Sequence, residues 1–498
     1  MTLICSTGKE NKLTDLKKRL NQKADYHEIR MELYSGQEEE ILQLAQKKKI
    51  IFTFSFFQHK FNCYLAANQQ IFSKIAQFFD YYCDLDYKYL SDESNFAKLT
   101  AIIPASRIIA SAHFYELTSL TSIFTTVDII NKLPCTGGKI AVQINQYKQL
   151  LDLRKIKFHK KIRVVIAMGK IGRISRFKPS FFNGNLTYGY GVSKFKSSRE
   201  QPSLQSLEHG RIFEEDKLEV LALAGGKLIS QSPSYQFYNH LFSRLNLRYH
   251  YLKIQVFQEE HLKALLKFPF RGLSVTMPLK KSRFFFQDMT GEKDNLTKKL
   301  HDSVVITRAV NTLVFERKER VVKLENTDFQ AFQNIFAQNL PSENRLAKTV
   351  LVLGNGAAAQ SCLAALPPEY SLVIGCRHRS KAASDLGFLL KKRKTRYTIK
   401  KLEQLQNLKP QIVVNTLPVN LSIPAWNKIL ANRSQLLIID LLMENNAQTN
   451  LVKIFSEEKC KVVDGHDFWL QQGLVQLSIF FPPREFQKIK NAFRYYQN

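Results

Sequence analysis

Residues 349–359 read Thr349-Val-Leu-Val-Leu-Gly354-Asn-Gly356-Ala-Ala-Ala359. In this stretch an apolar strand runs directly into a glycine turn, and small residues typical of a helix start follow. A G-x-G-x-x-A turn of this kind brings backbone N–H groups and a helix N-terminus against a pyrophosphate. The next apolar strand, Ser371–Ile374, lies about 20 residues on, as expected for a ribose-binding residue at its end. The stretch therefore predicts a dinucleotide-binding βαβ unit.

The residues after that second strand indicate which dinucleotide is bound. An NAD-binding protein usually has Asp or Glu here, which bonds the ribose 2′-OH. This chain has Cys376-Arg-His-Arg-Ser-Lys381, with three cations and no carboxylate. Because guanidinium groups bind phosphate oxygens well, the segment favours NADP(H) over NAD. A basic helix start that only faces water is the alternative. The predicted cofactor contacts are Gly354, Asn355, Gly356, Ala357, Ala358, Arg377, Arg379 and Lys381.

Towards the N-terminus, short apolar runs recur up to about residue 190, with room for a helix between each pair. Amphipathic stretches such as Lys12–Gln22 and Glu38–Lys47 fill several gaps, so a parallel sheet is expected. Eight strand–helix units close into a (β/α)8 barrel, whose active groups lie at the C-terminal ends of the strands. The predicted strands are Leu3–Ser6, Tyr26–Met31, Ile50–Phe54, Tyr82–Asp86, Ile108–Ser111, Ile140–Ile144, Val164–Ala167 and Leu186–Tyr188.

Length and composition set the broad class. The chain has 498 residues, which corresponds to roughly three domains. No apolar run approaches the roughly 18 residues that span a bilayer, and no secretory signal is visible, so a cytoplasmic enzyme is expected. The seven cysteines include no C-x-x-C pair, and we therefore expect neither a disulfide framework nor a metal site.

The charge is strongly positive, with 73 Lys and Arg against 43 Asp and Glu, a formal +30. Such a balance raises the alternative of a nucleic-acid-binding protein built on retired enzyme domains. The basic residues are scattered, however, with only short clusters such as Lys47–Lys49 and Lys391–Lys394, and no zinc-finger or RNP-like spacing accompanies them. A field that attracts small anionic molecules is the favoured interpretation.

The barrel segment contains a candidate nucleophile. Lys139 opens the apolar strand Gly138-Lys-Ile-Ala-Val-Gln-Ile144, close to the barrel interior. Burial there disfavours the ammonium form, so we expect a lowered pKa and a neutral amine that attacks a ketone to form an imine. His113, at the end of the preceding strand, is the candidate general acid and base. A surface lysine and an ordinary barrel-mouth histidine are the alternatives.

Further polar residues fit the same chemistry. Glu28 and Arg30 share one face of the second strand, because residues two apart point together. Arg176, after the seventh strand, is suited to gripping a substrate carboxylate. An imine on Lys139 would acidify the neighbouring C–H, and His113 could remove that proton and promote loss of a β-hydroxyl.

Residues 1–205 resemble the type I 3-dehydroquinate dehydratases. The matching motifs are Glu28-Ile-Arg30, Ala112-His113-Phe114, Gly138-Lys139-Ile140-Ala141, Met168-Gly-Lys-Ile-Gly-Arg-Ile-Ser-Arg176 and Gln201. The resemblance implies Lys139 as the Schiff-base residue and His113 as the proton donor and acceptor. It also implies substrate contacts, namely Ser6, Glu28, Arg30, Arg176, Ser197 and Gln201. Ser55 stands where the family usually has Arg, so a cationic contact is missing unless His59 or Lys60 substitutes.

The C-terminal half carries a second set of polar residues. Ser230-Gln-Ser232-Pro233 offers two hydroxyls on one side of an extended segment, a geometry suited to a small carboxylate, although a helix cap is the simpler alternative. Lys280 ends the strand that breaks at Pro278, and Asp328 follows Glu325-Asn-Thr327. A Lys–Asp pair beside a nicotinamide could supply the proton that ketone reduction requires.

Residues 220–498 resemble shikimate dehydrogenase. The resemblance implies Lys280 and Asp328 as the catalytic pair. It implies shikimate contacts from Ser230, Ser232, Thr276, Asn311, Asp328 and Gln472, and it adds Gly465 to the cofactor contacts. The chain departs from the family at three places, with Ile229 for a common histidine, Ser274 for asparagine, and Cys376-Arg-His for Asn-Arg-Thr.

Together the two resemblances imply consecutive reactions in one chain: dehydration of 3-dehydroquinate to 3-dehydroshikimate, then NADPH-dependent reduction to shikimate. The expected α/β architecture is a barrel over residues 1–210, a substrate lobe over 220–332 completed by 466–498, and a Rossmann-like NADP lobe over 333–465. Because Ser55 weakens the barrel motif, a chain in which only the dehydrogenase works remains an alternative. Quinate is an alternative dehydrogenase substrate, since one hydroxyl distinguishes it from shikimate.

Overall fold

The computed structural model describes most of the chain, and its contacts divide it into two compact units. The described residues are 2–55, 58–116, 118–198, 200–209, 218–256, 258–287, 297–316, 321–340, 349–393, 395–406, 408–429, 437–444, 448–456 and 460–493. The first unit contains Met1–Val220, Tyr235–Gln255 and Glu260–Pro269. The second contains Leu221–Ser234, Val256–Glu259 and Phe270–Asn498. No described helix combines the length and the apolar character needed to cross a bilayer.

The first unit is built on the eight parallel strands that the apolar rhythm predicts. Their sheet order is β7-β6-β5-β4-β3-β2-β1-β8. The strands are β1 Leu3–Thr7, β2 Tyr26–Arg30, β3 Ile50–Phe54, β4 Tyr81–Asp86, β5 Ile108–Phe114, β6 Gly137–Gln143, β7 Ile162–Met168 and β8 Leu186–Tyr190. The helices up to residue 209 are α1 Leu13–Leu20, α2 Glu38–Ala45, α3 Gln58–Ala67, α4 Gln69–Ala76, α5 Tyr87–Leu90, α6 Glu93–Thr100, α7 Leu120–Lys132, α8 Tyr147–Asp152, α9 Ile174–Phe177 and α10 Leu204–His209.

The barrel interior follows from the alternation of side chains along each strand. Every second residue of several strands joins one buried cluster, which includes Cys5, Tyr26, Ile51, Ile109 and Tyr188. In the described chain no ladder joins β7 to β8, and Asn185 bridges the seam instead. Its backbone N–H donates to the Arg163 carbonyl at 2.8 Å, and its Oδ1 accepts from the Arg163 N–H at 2.8 Å. The TIM-like fold is confirmed.

The second unit begins with a mixed sheet in which five strands are neighbours in the order β9-β11-β13-β14-β12. β11 pairs antiparallel with β13, β13 antiparallel with β14, and β12 parallel with β14. Residues 235–255 and 260–269 belong to the first unit, although they lie within this part of the sequence. The elements over residues 219–339 of both units are β9 Glu219–Gly225, α11 Ser234–Arg244, β10 Tyr249–Gln255, α12 Glu259–Leu266, β11 Phe270–Val275, β12 Thr297–Leu300, α13 Asp302–Thr307, β13 Thr312–Glu316, β14 Val321–Glu325 and α14 Thr327–Asn339.

The rest of the second unit is the doubly wound sheet that the glycine turn predicts. All its strand pairs are parallel, in the order β17-β16-β15-β18-β19-β20. The elements are β15 Thr349–Leu353, α15 Ala357–Ala365, β16 Ser371–Cys376, α16 Arg379–Arg393, β17 Tyr397–Lys401, β18 Ile412–Asn415, α17 Ile423–Ile429, β19 Leu437–Asp440, α18 Asn450–Ser456, β20 Lys461–Val463, α19 Gly465–Phe480 and α20 Pro483–Phe493. Strand order reverses at β15, which places the glycine turn at the switch point where such sheets bind dinucleotides.

Candidate active sites

Lys139 lies inside the barrel, enclosed by side chains from three other strands. Its Nζ atom is 2.6 Å from Asp84 Oδ2 on β4 and 3.6 Å from Glu28 Oε1 on β2. It also sits 4.6 Å from the centre of the Tyr188 ring on β8. Only 6% of the Lys139 side chain is exposed. The lysine is therefore a buried cation between two carboxylates and an aromatic face.

The expected neutral amine is wrong for this structure. Burial alone would lower the pKa of Lys139, but Asp84, Tyr188 and Glu28 outweigh burial, so the pKa is raised well above its usual value. Burial can be predicted from the apolar strand around Lys139, whereas the carboxylate of Asp84 comes from another strand, 55 residues away in the sequence. The resting lysine is an ammonium ion, and any attack on a carbonyl has to begin with loss of its proton.

Glu28 is held as a carboxylate. Its Oε2 accepts a hydrogen bond from Thr7 Oγ1, and its Oε1 accepts one from Thr53 Oγ1 at 3.2 Å. Burial opposes its charge, but Lys139 and the Thr7 hydrogen bond outweigh burial and lower the pKa of Glu28. Glu28 and Asp84 therefore place two negative charges around one positive charge.

His113 lies on β5, two residues after the position that pairs with Lys139. Ser111 is opposite Lys139 in the ladder, so His113 lies on the same face, nearer to the C-terminal end. Its ring stacks on Tyr115 with centroids 5.8 Å apart. Although the residue reaches solvent, desolvation by its surroundings, followed by the charge of Lys139, lowers the pKa of His113 to about 4. The imidazole is therefore neutral at neutral pH and can accept a proton.

Arg176 is a buried cation that fits the predicted anion contact. It lies on the short helix α9, and no carboxylate pairs with it anywhere in the described ranges. Burial lowers the pKa of Arg176 to about 10, against the opposing influence of Tyr188 and Glu28. A guanidinium group enclosed without a carboxylate partner is suited to an anionic ligand.

Gln201 and Ser197 form a second polar group of the barrel. Gln201 Oε1 accepts from the Ser197 hydroxyl at 2.6 Å and from the Ser197 N–H at 3.0 Å. The Nε2 atom of Gln201 is buried and makes no hydrogen bond to any described residue. Because an unpaired buried donor is costly, a bound polar ligand would stabilise it.

The second lysine–carboxylate pair lies in the second unit. Lys280 Nζ is 2.5 Å from Asp328 Oδ2, and the Lys280 side chain is 18% exposed. The other Asp328 oxygen accepts from Asn311 Nδ2 at 2.9 Å. Asn311 also donates to Thr327 Oγ1 at 3.0 Å. The predicted pair is therefore in contact, and the predicted Asn311 fixes the orientation of its carboxylate.

The remaining predicted shikimate contacts lie on neighbouring elements. Gln472 Oε1 accepts from Thr327 Oγ1 at 3.4 Å, which places Gln472 beside Asn311. Thr276 follows β11, and a Cβ atom on Gly225 would lie 2.3 Å from its Cγ2 atom, so glycine permits this close approach. Ser232 Oγ lies 3.0 Å from Ser234 Oγ, while the exposed Ser230 donates to the Lys227 carbonyl at 3.1 Å.

The glycine turn has the geometry that a pyrophosphate needs. Gly354 adopts a φ of +109°, and a Cβ atom there would lie 2.4 Å from Thr416 Oγ1. A Cβ atom on Gly356 would meet nothing within 4 Å, so the helix N-terminus that begins at Ala357 is open to a ligand. Arg377, Arg379 and Lys381 are exposed, and none pairs with a carboxylate in the described part of the chain.

Two predicted cofactor residues have structural partners of their own. Asn355 Nδ2 donates to Asp385 Oδ2 at 2.6 Å, and Asp385 Oδ1 is 3.4 Å from Lys281 Nζ. The Asn355 side chain is thus turned towards α16 and braces the turn. Gly465 begins α19, where a Cβ atom would lie 2.5 Å from the Leu442 carbonyl oxygen. A close packing contact therefore accounts for this glycine.

Two family models match the chain, one after the other. Residues 2–212 match the family model of type I 3-dehydroquinase, and residues 225–313 match that of the shikimate dehydrogenase substrate binding domain. The chain joins a type I 3-dehydroquinase domain to a shikimate dehydrogenase domain. Both resemblances drawn from the sequence are thereby confirmed.

Several curated proteins and solved structures are similar to this chain over half of its length or more. The Shikimate biosynthesis protein AroDE of Chlamydia pneumoniae is 25% identical over 403 residues, which cover 79% of this chain and 77% of that protein. The Shikimate dehydrogenase (NADP(+)) of Jannaschia sp. is 27% identical over 266 residues, or 51% of this chain and 90% of that protein. A solved structure of the dehydroquinate dehydratase and shikimate dehydrogenase from S. pombe AroM has 18% identity, a TM-score of 0.41 and 98% coverage of both chains.

One predicted residue of the dehydroquinase domain is not brought to the site. Ser6 Oγ is 3.0 Å from His27 Nδ1 and accepts from an Arg19 NH1 donor at 2.9 Å. Thr7, the next residue along the strand, points to Glu28 instead. The predicted substrate contact at Ser6 is therefore on the wrong face of β1, because successive side chains alternate between faces.

Ser55, where the chain departs from the family, has a neighbour in the structure that the sequence did not suggest. An Arg30 NH2 donor lies 3.5 Å from Ser55 Oγ and also pairs with Glu32 Oε1 at 2.8 Å. A guanidinium group is thus already present beside the position where the family usually has Arg. The side chains of His59 and Lys60, the suggested substitutes, lie outside the described residues.

Asp84 and Tyr188 are the site residues that sequence reasoning missed. Asp84 Oδ1 and the Tyr188 hydroxyl are both buried and make no hydrogen bond to a described residue. A signal was present for Asp84, since a carboxylate in the middle of a buried strand needs a partner, and the barrel offers Lys139. Tyr188 carried no such signal, because tyrosine is common in strands for packing alone.

Proposed function

We propose that the chain catalyses two consecutive reactions. The dehydroquinase domain removes water from 3-dehydroquinate to give 3-dehydroshikimate, and the dehydrogenase domain reduces 3-dehydroshikimate to shikimate with NADPH. The observation that carries the first step is the enclosed Lys139, surrounded by buried groups without partners among the described residues. The order of the two family matches supports the second step, because the product of the first domain is the ketone that the second would reduce.

The barrel residues divide the dehydration between them. Arg176 binds the substrate carboxylate, and the Gln201 amide and the Tyr188 hydroxyl supply further hydrogen bonds. Lys139 attacks the ketone carbon and releases one water as the imine forms. The imine draws electrons from the neighbouring C–H, whose proton passes to the neutral imidazole of His113. His113 then returns that proton to the departing hydroxyl, and hydrolysis of the imine restores Lys139, so that the net change is loss of one water.

The raised pKa of Lys139 adds a step at the start. The ammonium form cannot attack a carbonyl, so a neighbour has to take its proton as the substrate binds. Asp84 Oδ2, at 2.6 Å, is the nearest acceptor. Asp84 returns that proton to the hydroxyl that leaves as water when the iminium forms, so Asp84 and Glu28 both carry negative charge again and stabilise this cation.

The dehydrogenase residues bind the substrate and supply the proton that ketone reduction requires. When bound, NADPH supplies the hydride that reduces the ketone. Lys280 then provides a proton to the oxygen that becomes a hydroxyl, and Asp328 holds Lys280 in position at 2.5 Å. Asn311 fixes Asp328, and Ser230, Ser232, Thr276 and Gln472 hold the rest of the ring by hydrogen bonds.

The residues present fit NADP. The turn at Gly356 leaves room for a pyrophosphate at the start of α15, and the exposed Arg377, Arg379 and Lys381 can bind a 2′-phosphate. The substrates and the cofactor are all anions, so the formal charge of +30 would speed their arrival. We also propose the cytoplasmic location that the sequence predicts.

The test measures each reaction on the purified full chain. We expect water elimination from 3-dehydroquinate, and we expect NADPH oxidation when 3-dehydroshikimate is supplied. Borohydride added during dehydration should reduce the imine and increase the mass of the chain by that of the bound ligand. Absence of both activities would reject the proposal, and an unchanged mass during active dehydration would reject the imine.

A further inference from the structure

A tryptophan of the dehydrogenase domain is hydrogen-bonded to a serine just beyond the predicted substrate serines. Trp469, in the second turn of α19, donates its Nε1–H to Ser234 Oγ at 3.2 Å. Ser234 Oγ lies 3.0 Å from Ser232 Oγ, and Ser234 is 5% exposed. Three side chains therefore form a short chain of hydrogen bonds that ends at Ser232.

The direction of this chain follows from the chemistry of the indole. Tryptophan is a donor only, so Ser234 Oγ has to accept from Trp469. The Ser234 hydroxyl hydrogen then needs an acceptor of its own, and Ser232 Oγ is the one that the described residues provide. Ser232 Oγ also receives the Ser234 N–H at 3.4 Å. With its oxygen accepting two bonds from Ser234, Ser232 is left to donate its own hydrogen outwards.

We propose that Trp469 and Ser234 are positioning residues that turn the Ser232 hydroxyl into an oriented donor for the substrate carboxylate. This inference rests on the proposed function, because it assumes that Ser232 contacts the acid group of 3-dehydroshikimate. A free serine hydroxyl can rotate and can either donate or accept, whereas an anion accepts hydrogen bonds only. Fixing the hydrogen before binding removes a cost of ordering and strengthens each bond along the chain.

The role predicts an effect on substrate binding and little effect on the chemical step. Trp469→Phe keeps the aromatic ring and removes the donor, while Ser234→Ala removes the relay. Each should raise the KM for 3-dehydroshikimate by about 3- to 10-fold, the loss of one modest hydrogen bond, with kcat and the KM for NADPH nearly unchanged. Ser234→Thr keeps a hydroxyl and should retain a KM close to that of the wild type.

A matched ligand shows whether the carboxylate is the target. The methyl ester of 3-dehydroshikimate lacks the anion, so Trp469→Phe should weaken its binding much less than that of the acid. Equal losses for acid and ester would overturn the proposal, because they would indicate general damage to the pocket. An unchanged KM for the acid in both Trp469→Phe and Ser234→Ala would also overturn it.

A binding measurement separates this inference from the proposed function. The sequence has two tryptophans, and the second, Trp426, lies 1% exposed in the Rossmann core. In a Trp426→Phe chain the tryptophan fluorescence, excited selectively over that of tyrosine, therefore comes from Trp469 alone. If the wild type shows no turnover, the proposed function fails, and titration of this chain with shikimate still decides the inference. Binding that Ser234→Ala weakens supports it, whereas no binding, or binding that Ser234→Ala leaves unchanged, overturns it.

Discussion

The two domains each contain a lysine in contact with an aspartate, and the two pairs differ in what surrounds them. Lys139 is 6% exposed and has Glu28 at 3.6 Å as a second carboxylate, in addition to Asp84 at 2.6 Å. Lys280 is 18% exposed and has Asp328 at 2.5 Å as its carboxylate partner. Almost the same pair distance therefore occurs once in an enclosed barrel and once at a less enclosed position.

The difference in enclosure matches the difference in the chemistry that we propose for the two lysines. A lysine that bonds covalently to its substrate benefits from permanent negative charge, because the iminium carries a positive charge through the reaction. A lysine that relays a proton needs access to the substrate oxygen and to solvent, because the proton has to be replaced after each turnover. The pair distance alone would not distinguish these roles.

The largest expected effect comes from removing each lysine separately. Lys139→Ala should reduce dehydration by a factor of about 10⁴ or more, because the covalent route is lost. Lys280→Ala should reduce NADPH oxidation by about 10²- to 10⁴-fold, since it removes a general acid. Each variant should leave the other reaction within about twofold of the wild type, because independent sites behave additively. Both activities are measured on one preparation.

Mass analysis after borohydride serves as the control for this pair of variants. The imine adduct should disappear in Lys139→Ala and persist in Lys280→Ala. Loss of both reactions in either single variant would contradict the comparison, because it would show that the two lysines do not act in separate sites.

The next largest effect concerns His113 in the enclosed site, and it can be tested through the pH dependence of dehydration. His113→Gln should slow dehydration by about 10²- to 10⁴-fold, as expected for loss of a general acid and base. Because the pKa of His113 is lowered to about 4, its imidazole stays neutral until the pH falls to that value. Wild-type kcat/KM for dehydroquinate should therefore stay high as the pH is lowered and fall only near pH 4. A limb near the usual histidine value of about 6.5 would show that neither desolvation nor the charge of Lys139 lowers the pKa of this group.

Much of this comparison could be predicted from the sequence. The strand rhythm of the barrel and the glycine turn at Gly354 were sufficient for the fold, because both depend on local periodicity and turn chemistry. Lys139 and His113 could be predicted as neighbours, because they lie on consecutive strands of the barrel. The Lys280–Asp328 pair was a weaker prediction, since 48 residues separate its members and no local pattern links them, and the family resemblance supported it.

The errors have a common physical origin. The pKa of Lys139 was expected to fall, because burial is visible in an apolar strand while the partner carboxylate of Asp84 lies 55 residues away. Ser6 was placed in the site, although the shift of one residue to Thr7 reverses the face of the strand. In both cases the deciding contact depends on register between distant strands, which a single sequence does not display.

A smaller effect concerns the dehydrogenase site and its cofactor. Replacing Arg377 and Arg379 together by Ala should raise the KM for NADPH by about 10- to 100-fold, the loss expected for charge-assisted hydrogen bonds. The KM for NADH should change little, because NADH has no 2′-phosphate. Dehydration is the internal control, and it should be unaffected. An equal loss for both nucleotides would mean that these arginines support the fold or the pyrophosphate instead.

The smallest effect is expected at Ser55, where the family usually has Arg. The alternative that only the dehydrogenase works rests on this position, and it predicts that Ser55→Arg restores a weak or absent dehydration. We expect instead that Ser55→Arg changes the KM for dehydroquinate by less than about threefold, because Arg30 already lies 3.5 Å from Ser55 Oγ. A second guanidinium there would repel the first as much as it attracts the substrate. A gain of 10-fold or more would show that the enclosed site lacks a cation after all, and it would make the barrel the weaker of the two centres. Ser55→Met, which fills similar space without charge, separates the effect of charge from that of size.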